Sequence, residues 1–265
     1  MKHLDIAQAI ARQFSTFEQT KAVALGGSIA TGNHDEKSDI DLYVYYDRYI
    51  SVKARAQLIE ARASRSEINA SFWETEDYWL EKESGIKVEV IYRDEWLVDV
   101  LEDMFANNRA QMGFSTSLWH NVLHSKVLFD REGWLAKLKA LANRSYPDAL
   151  AKAVIHKNFA LLRGSLAEHP KQLELAVERG DLVLAHKLIN VIFDSYFDIL
   201  FALNRELHPG TKRQLMYVDA LPIKPRNMVN DVQALSEHQL DAKAVMCVKH
   251  LIDELEHLLK SKKYI

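Results

Sequence analysis

The chain has 265 residues, 48% of them hydrophobic and 27% charged, with a formal net charge of -3. These values exclude a fibrous or disordered chain, and the near-balance of charge supplies no overall basic excess for holding a nucleic-acid backbone. Cys247 is the only cysteine, which excludes an intramolecular disulfide and a cysteine-rich zinc site and points to a reducing, cytoplasmic setting.

The opening residues, Met1 to Phe14, mix Lys2, Asp5, Gln8 and Arg12 into an amphipathic helical pattern that does not resemble a secretion signal. An extended run, KAVALGG, follows from Lys21, then DIDLYVYY from Asp39 to Tyr46, then a helical stretch from Val52 to Ser64. Two further strand-like runs, Asn69 to Trp73 and Lys87 to Arg93, are rich in the β-branched and aromatic residues that suit a pleated surface. After Asp94 the strand signal fades, and helices are expected between the punctuation at Gly113, Pro147, Pro170, Gly180 and Pro209-Gly210. The clearest helix starts near Asp181 and runs to about Leu207, with Leu182, Ala185, Leu188, Ile192, Tyr196 and Leu203 at three- and four-residue steps. Asn190, Asp194, Ser195 and Asp198 interrupt its apolar run, so it is not expected to span a membrane. The fold class expected is an α/β (α+β) N-terminal domain with a mixed sheet, residues 1–112, followed by an all-α helical bundle, residues 113–265, joined between Arg109 and Thr116.

The chemistry concentrates in the first half. ALGGSIATG, Ala24 to Gly32, places two glycines after a strand and a serine at the head of a short helical segment. Glycines let backbone amides approach an anion, and Ser28 adds a hydroxyl donor. The same residues also describe a plain strand-to-helix turn with Ser28 as its N-cap. Asp39 and Asp41 follow at the start of a strand, where residues two apart share a face, so Asp39, Asp41 and Tyr43 project one way and Ile40, Leu42 and Val44 the other. Two adjacent carboxylates repel unless a cation offsets them, and Mg²⁺, a hard ion that takes carboxylate and phosphate oxygens, is the natural partner.

Gly27-Ser28, a loop of ten residues, and Asp39-Ile40-Asp41 together resemble the signature of the DNA polymerase β-like nucleotidyltransferase superfamily. The resemblance implies Mg²⁺-dependent transfer of a nucleoside monophosphate, AMP first, from a nucleoside triphosphate bound on Gly27-Ser28, with Asp39 and Asp41 as metal ligands and catalytic groups. It also implies a third acidic residue on a later strand. Glu89 in KVEVIYR occupies that place and fits two roles there, metal ligand or general base. A solvated glutamate paired with Lys87 or Arg93 is the third reading of the same residue.

A helical region after the catalytic domain resembles the layout of small aminoglycoside and lincosamide nucleotidyltransferases and implies a substrate-binding role for residues 113–265. Arg205, Lys212 and Arg213 flank a helix end there, and Lys212 is the candidate to meet a nucleotide phosphate. Lys187, Asn190, Asp194 and Asp198 are expected to share one helix face, where acidic groups would suit a cationic acceptor or simply face solvent. The expected partners are a nucleoside triphosphate and a hydroxyl-bearing small molecule, with neither membrane nor nucleic acid, in a monomer or a homodimer. Transfer to a protein or an RNA end and nucleotide binding without catalysis are the competing functions.

Overall fold

The computed structural model describes residues 2–72, 74–237 and 239–265; Met1, which opened one expected segment, and Trp73, which closed another, lie outside the described residues. The chain divides into two compact units, one of residues 1–102 and 121–144, the other of residues 103–120 and 145–265. A single cut at 112/113 was expected from the sequence; the contacts instead group residues 121–144 with the N-terminal part.

The first unit is built on helix α1 (Lys2–Phe14), strand β1 (Thr20–Leu25), the short helix α2 (Gly27–Thr31), β2 (Ile40–Tyr46), α3 (Val52–Glu60), β3 (Ala63–Ala70), β4 (Thr75–Glu81) and β5 (Lys87–Arg93). Helix α4 (Trp96–Asn107) leads the chain out of this unit, and α5 (Ser117–His124) leads it back to β6 (Lys126–Asp130) and α6 (Trp134–Ala142). The six strands form one sheet in the order β3-β4-β5-β2-β1-β6. Among the described residues β2 and β5 alone run parallel, so the sheet is mixed, as expected.

Alternation decides which side chains meet. Val23, Leu25, Ile40, Leu42, Val44, Val88, Val90 and Tyr92 share a buried core with Ala7, Ile10 and Phe14 of α1 and Ile59 of α3. A fully buried leucine or isoleucine there contributes ~1.5–3 kcal/mol relative to exposure. The opposite face of β1 and β2 carries Tyr43 and Tyr45, and Tyr45 packs against Trp134 at the start of α6, with ring centroids 5.2 Å apart.

Four expectations are corrected. The helix expected to reach Ser64 ends at Glu60; Ala63 already pairs with Glu81 in β3, and Ser64 lies in that strand at a break in its register. The strand expected over Asn69–Trp73 is met only at Asn69 and Ala70, the end of β3; the rest of ASRSEINA, an edge strand with four of its residues exposed and the others partly so, has too little apolar surface to show a period. β4, TEDYWLE, was missed because Glu76, Asp77 and Glu81 are buried in it, Glu76 held by Tyr78 of the same strand and the other two met by cations from α3 and the segment after it. Arg55 donates to Asp77, and Arg62 to Glu81. Likewise β6 lies in the stretch read as purely helical; five residues at the sheet edge are too few to show a period.

The second unit contains α7 (Asp148–Leu162), α8 (His169–Glu178), α9 (Leu182–Asn204), α10 (Gln214–Asp219), α11 (Met228–Glu237) and α12 (Ala242–Ser261). Asp181 caps α9 by accepting from the Leu184 amide, and the helix packs against α7, α8 and α10. From Ser195 to Leu203 every residue of α9 is buried, which makes its C-terminal half the axis of this unit. Asp198 is therefore not on a solvated acidic face, as one reading had it. Its carboxylate accepts from the Ser115 amide (3.1 Å), the Ser115 hydroxyl (2.6 Å) and the Asn158 side chain (3.0 Å). Burial pushes its pKa up to about 6 despite those bonds. Among the described residues no helix is long and apolar enough to cross a membrane.

Candidate active site

The turn after β1 is shaped by what its glycines lack. Gly27 has φ +59°, and a Cβ there would lie 1.7 Å from Oδ2 of Asp41; one on Gly26 would lie 2.5 Å from the Tyr43 ring. Glycine at both positions lets the chain pass directly over β2, and the Gly26 amide donates to the Asp41 carbonyl at 2.8 Å. Ser28 is the second residue of α2 and half-buried, while the N-cap position belongs to Gly26, which has no side chain to cap with. The N-cap reading of Ser28 is thus replaced. After α2, Asp35 closes the following loop by accepting from the Lys37 amide and the Ser38 hydroxyl, delivering the chain to Asp39.

Asp41 on β2 lies directly beside Glu89 on β5 in the parallel register, and Ile40 beside Val88 faces the core. Asp39 precedes this pair by one alternation. Asp39, Asp41 and Glu89, all half-buried, bring one carboxylate oxygen each to within 4.8 Å of one another. The donor set is all oxygen, which suits a hard divalent cation such as Mg²⁺, and the missing Cβ of Gly27 leaves the space that the Asp41 carboxylate occupies. The residues present therefore fit the ion that the family pattern implies.

Lys87 enters the same cluster, its Nζ 3.5 Å from Glu89 and 4.0 Å from Asp39. Pairing of Glu89 with Lys87, weighed from the sequence as an alternative to a site role, coexists with the carboxylate cluster. Arg93 does not take part: it forms a two-pronged ion pair with Glu74 (2.9 and 2.7 Å) and lies over the Tyr43 ring. Burial raises the Glu89 pKa from its ordinary value; Lys87 works against this, and the nearby Glu76 and Asp39 add to it. Burial also pushes the Tyr43 phenol up to about 12, so it stays neutral beneath the acids.

Sequence reading missed the flank beyond Glu89. Tyr78 of β4 pairs with Glu89, and Glu67 of β3 pairs with Tyr78, extending the row of same-face side chains from Asp41 across four strands. Tyr78 donates to the buried Glu76, and Lys87 lies over its ring, 5.0 Å from the centroid. The visible signal was the alternation Glu76-Asp77-Tyr78-Trp79, hidden by its acids. Lys212 is exposed in the second unit, in the segment before α10. Of the two other cations expected there, Arg205 closes α9 in a left-handed conformation and pairs with Asp148 and Tyr264, and Arg213 occupies the N-cap position of α10, also left-handed, with no capping bond from its side chain.

Residues 7–109 match the family described as nucleotidyltransferase domain, and residues 114–213 match a domain of unknown function, DUF4037. No curated protein matches the chain in sequence. Similar solved structures include a nucleotidyltransferase-like protein from Exiguobacterium sibiricum 255-15 (14% identity, 98% of this chain and 78% of that one, TM-score 0.45). A CCA-adding enzyme of Thermotoga maritima in complex with tRNA aligns at 11% identity over 98% of this chain and 66% of that one, TM-score 0.35. A STING-associated CdnE c-di-GMP synthase from Capnocytophaga granulosa aligns at 13% identity over 100% and 82%, TM-score 0.31. Likeness this distant leaves the substrates in those names with those proteins. Gly27, Ser28, Asp39, Asp41 and Glu89 all lie inside the matched segment, so the candidate site falls wholly within residues 7–109, the part of this chain that matches the nucleotidyltransferase domain family.

Proposed function

We propose that the protein transfers a nucleoside monophosphate, AMP in the first instance, from a nucleoside triphosphate to a hydroxyl of a small molecule and releases pyrophosphate. The observation that carries the reading is the convergence of the Asp39, Asp41 and Glu89 oxygens within 4.8 Å beside a turn whose Gly27 can bear no side chain. Asp39 and Asp41 would hold Mg²⁺, with Glu89 at their flank; the ion supplies charge neutralisation at the reacting phosphorus and at the leaving oxygens.

The chain's own groups have separate tasks. The Gly26-Gly27-Ser28 turn receives the β- and γ-phosphates through backbone amides and the Ser28 hydroxyl. The acceptor oxygen attacks the α-phosphorus, forming the new P–O bond as the bond to the bridging oxygen of the β-phosphate breaks. Glu89 takes the proton from the acceptor hydroxyl, a role its position on the flank of the aspartates favours.

The test is thermal unfolding of the purified protein with each nucleoside triphosphate, with and without Mg²⁺, beside pyrophosphate release. Asp39→Asn and Asp41→Asn are expected to keep the fold and lose both the Mg²⁺-dependent shift and turnover. Near-wild-type turnover in either folded variant would remove the assignment.

A further inference from the structure

Beyond Glu89 the sheet continues into a groove of about 480 Å³ over β3, β4 and β5, with Arg65, Glu67, Phe72, Tyr78, Lys87 and Glu89 in its lining. Its volume is that of a small-molecule site. Two of its residues, Lys87 and Glu89, belong also to the carboxylate cluster, so the groove and the cluster form one continuous surface within the first unit.

The strand order fixes a direction. The Gly27 turn follows β1, Asp41 stands on β2, Glu89 on β5, Tyr78 on β4 and Glu67 on β3, each of the last four directly paired with the next. Strands lie ~4.8 Å apart, so the row from Asp41 to Glu67 is ~14 Å long. Displacement at phosphorus places the attacking oxygen opposite the leaving group. With pyrophosphate leaving toward the Gly27–Ser28 end, the attacking oxygen arrives from the β4 and β3 end, where the groove lies.

The lining states what kind of molecule fits. Phe72 is 73% exposed, an aromatic ring presented to solvent where a buried position would ordinarily be favoured, and Tyr78 offers a second ring at the groove wall. Charge is balanced: Arg65 pairs with Glu67 at 3.1 Å, and Lys87 with Glu89 at 3.5 Å. Two acids repel a polyanion and two bases repel a polycation, while the rings favour an apolar face.

We propose that this groove is the acceptor seat, and that the acceptor is a small, ring-bearing alcohol of low net charge, laid against Phe72 and Tyr78 with its hydroxyl toward Glu89. The proposal rests on the nucleotidyl-transfer reading for the word acceptor, and on the groove alone for the ligand class.

The probe is phenyl β-D-glucopyranoside, an uncharged molecule with one aromatic ring and several hydroxyls, observed by saturation-transfer NMR on the full chain. Transfer to its ring protons is expected in wild type, reduced at least fivefold in Phe72→Ala, and retained when Mg²⁺ and a non-hydrolysable ATP analogue are added. Phe72 is exposed, so its truncation leaves the core untouched; Arg65→Ala serves as a second rim variant and should weaken transfer by severalfold. Absence of transfer in wild type, equal transfer in Phe72→Ala, or full displacement by the ATP analogue would each overturn the proposal, the last by assigning the groove to the donor's base. The Mg²⁺-dependent thermal shift with ATP, measured on the same samples, fails separately: glucoside binding without that shift removes the transferase reading and leaves a ring-binding groove.

Discussion

Gly27→Ala separates the fold from the site more cleanly than any change to a carboxylate. The left-handed backbone at Gly27 costs an L-residue about 1–2 kcal/mol. The new methyl would overlap Oδ2 of Asp41 at 1.7 Å and Cγ at 2.7 Å, and these are the free end of a half-buried side chain that can rotate away. The fold therefore survives with a loss of about 1–2 kcal/mol, and Asp41 leaves the position it shares with Asp39 and Glu89. Wild-type protein at a triphosphate concentration about 100 times its Kd gains ~2.7 kcal/mol with Mg²⁺. A hundredfold weakening in the variant cuts this gain to ~0.4 kcal/mol. The assay is the unfolding midpoint of both proteins with and without ATP and Mg²⁺. A Gly27→Ala protein that shows the full wild-type increment would refute the claim that the missing Cβ sets the Asp41 carboxylate. The neighbouring change makes the contrast: Gly26→Ala meets the ring of Tyr43, which is buried beneath Arg93 and cannot swing out, so this variant loses stability where Gly27→Ala loses binding.

Three more outcomes are expected. Arg55 and Asp77 are 1% and 0% exposed, and Tyr92 and the Asn69 amide also donate to Asp77. Asp77→Ala leaves the guanidinium buried and unpaired and is expected to cost about 3–5 kcal/mol in chemical denaturation; a cost under ~1 kcal/mol would contradict the buried pairing. For Asp198 the folded pKa of about 6 lies above the unfolded value, so the folded state holds the proton between roughly pH 4 and 6. Its contribution is fully present below that window and is lost as pH rises through it, on the order of 2–3 kcal/mol. Asp198→Asn should flatten that part of the stability profile, and an unchanged slope would count against the assignment. Finally, the Lys87 ammonium competes with a divalent cation for Asp39 and Glu89. Lys87→Met should tighten Mg²⁺ binding about three- to tenfold in calorimetry, a modest factor because the lysine is partly exposed. No change in affinity would place Lys87 outside the ion's reach.

How much of this was legible in the amino-acid sequence depends on what each residue buries. β2 and β5 could be read because one face of each is apolar and the other carries Asp39, Asp41 and Glu89 at period two. The Gly27-Ser28 turn could be read because its composition is local chemistry. β4 could not, since Asp77 and Glu81 look like loop residues until Arg55 and Arg62 meet them from elsewhere in the chain, while Glu76 is met by Tyr78 of the same strand. Asp198 failed for the same reason: its partners Ser115 and Asn158 lie 83 and 40 positions away. Periodicity reports a side chain's own preference, and a buried acid is decided by a partner that no local window contains.

The return of the chain to the first unit through α5 bears on anyone who would cut this protein apart. β6 covers the outer edge of β1, pairing Ala22 with Asp130 and Leu25 with Lys126. A fragment ending near Arg109 keeps all the acids and loses that cover, exposing the backbone donors and acceptors of a strand whose residues Ala22 to Leu25 are wholly buried. Such a fragment would recruit a strand from a second copy or a neighbouring chain, and its assembly state would then reflect the missing edge and not the protein. The first unit runs to Arg144, so any fragment that keeps its sheet whole also carries residues 103–120, which pack with the second unit.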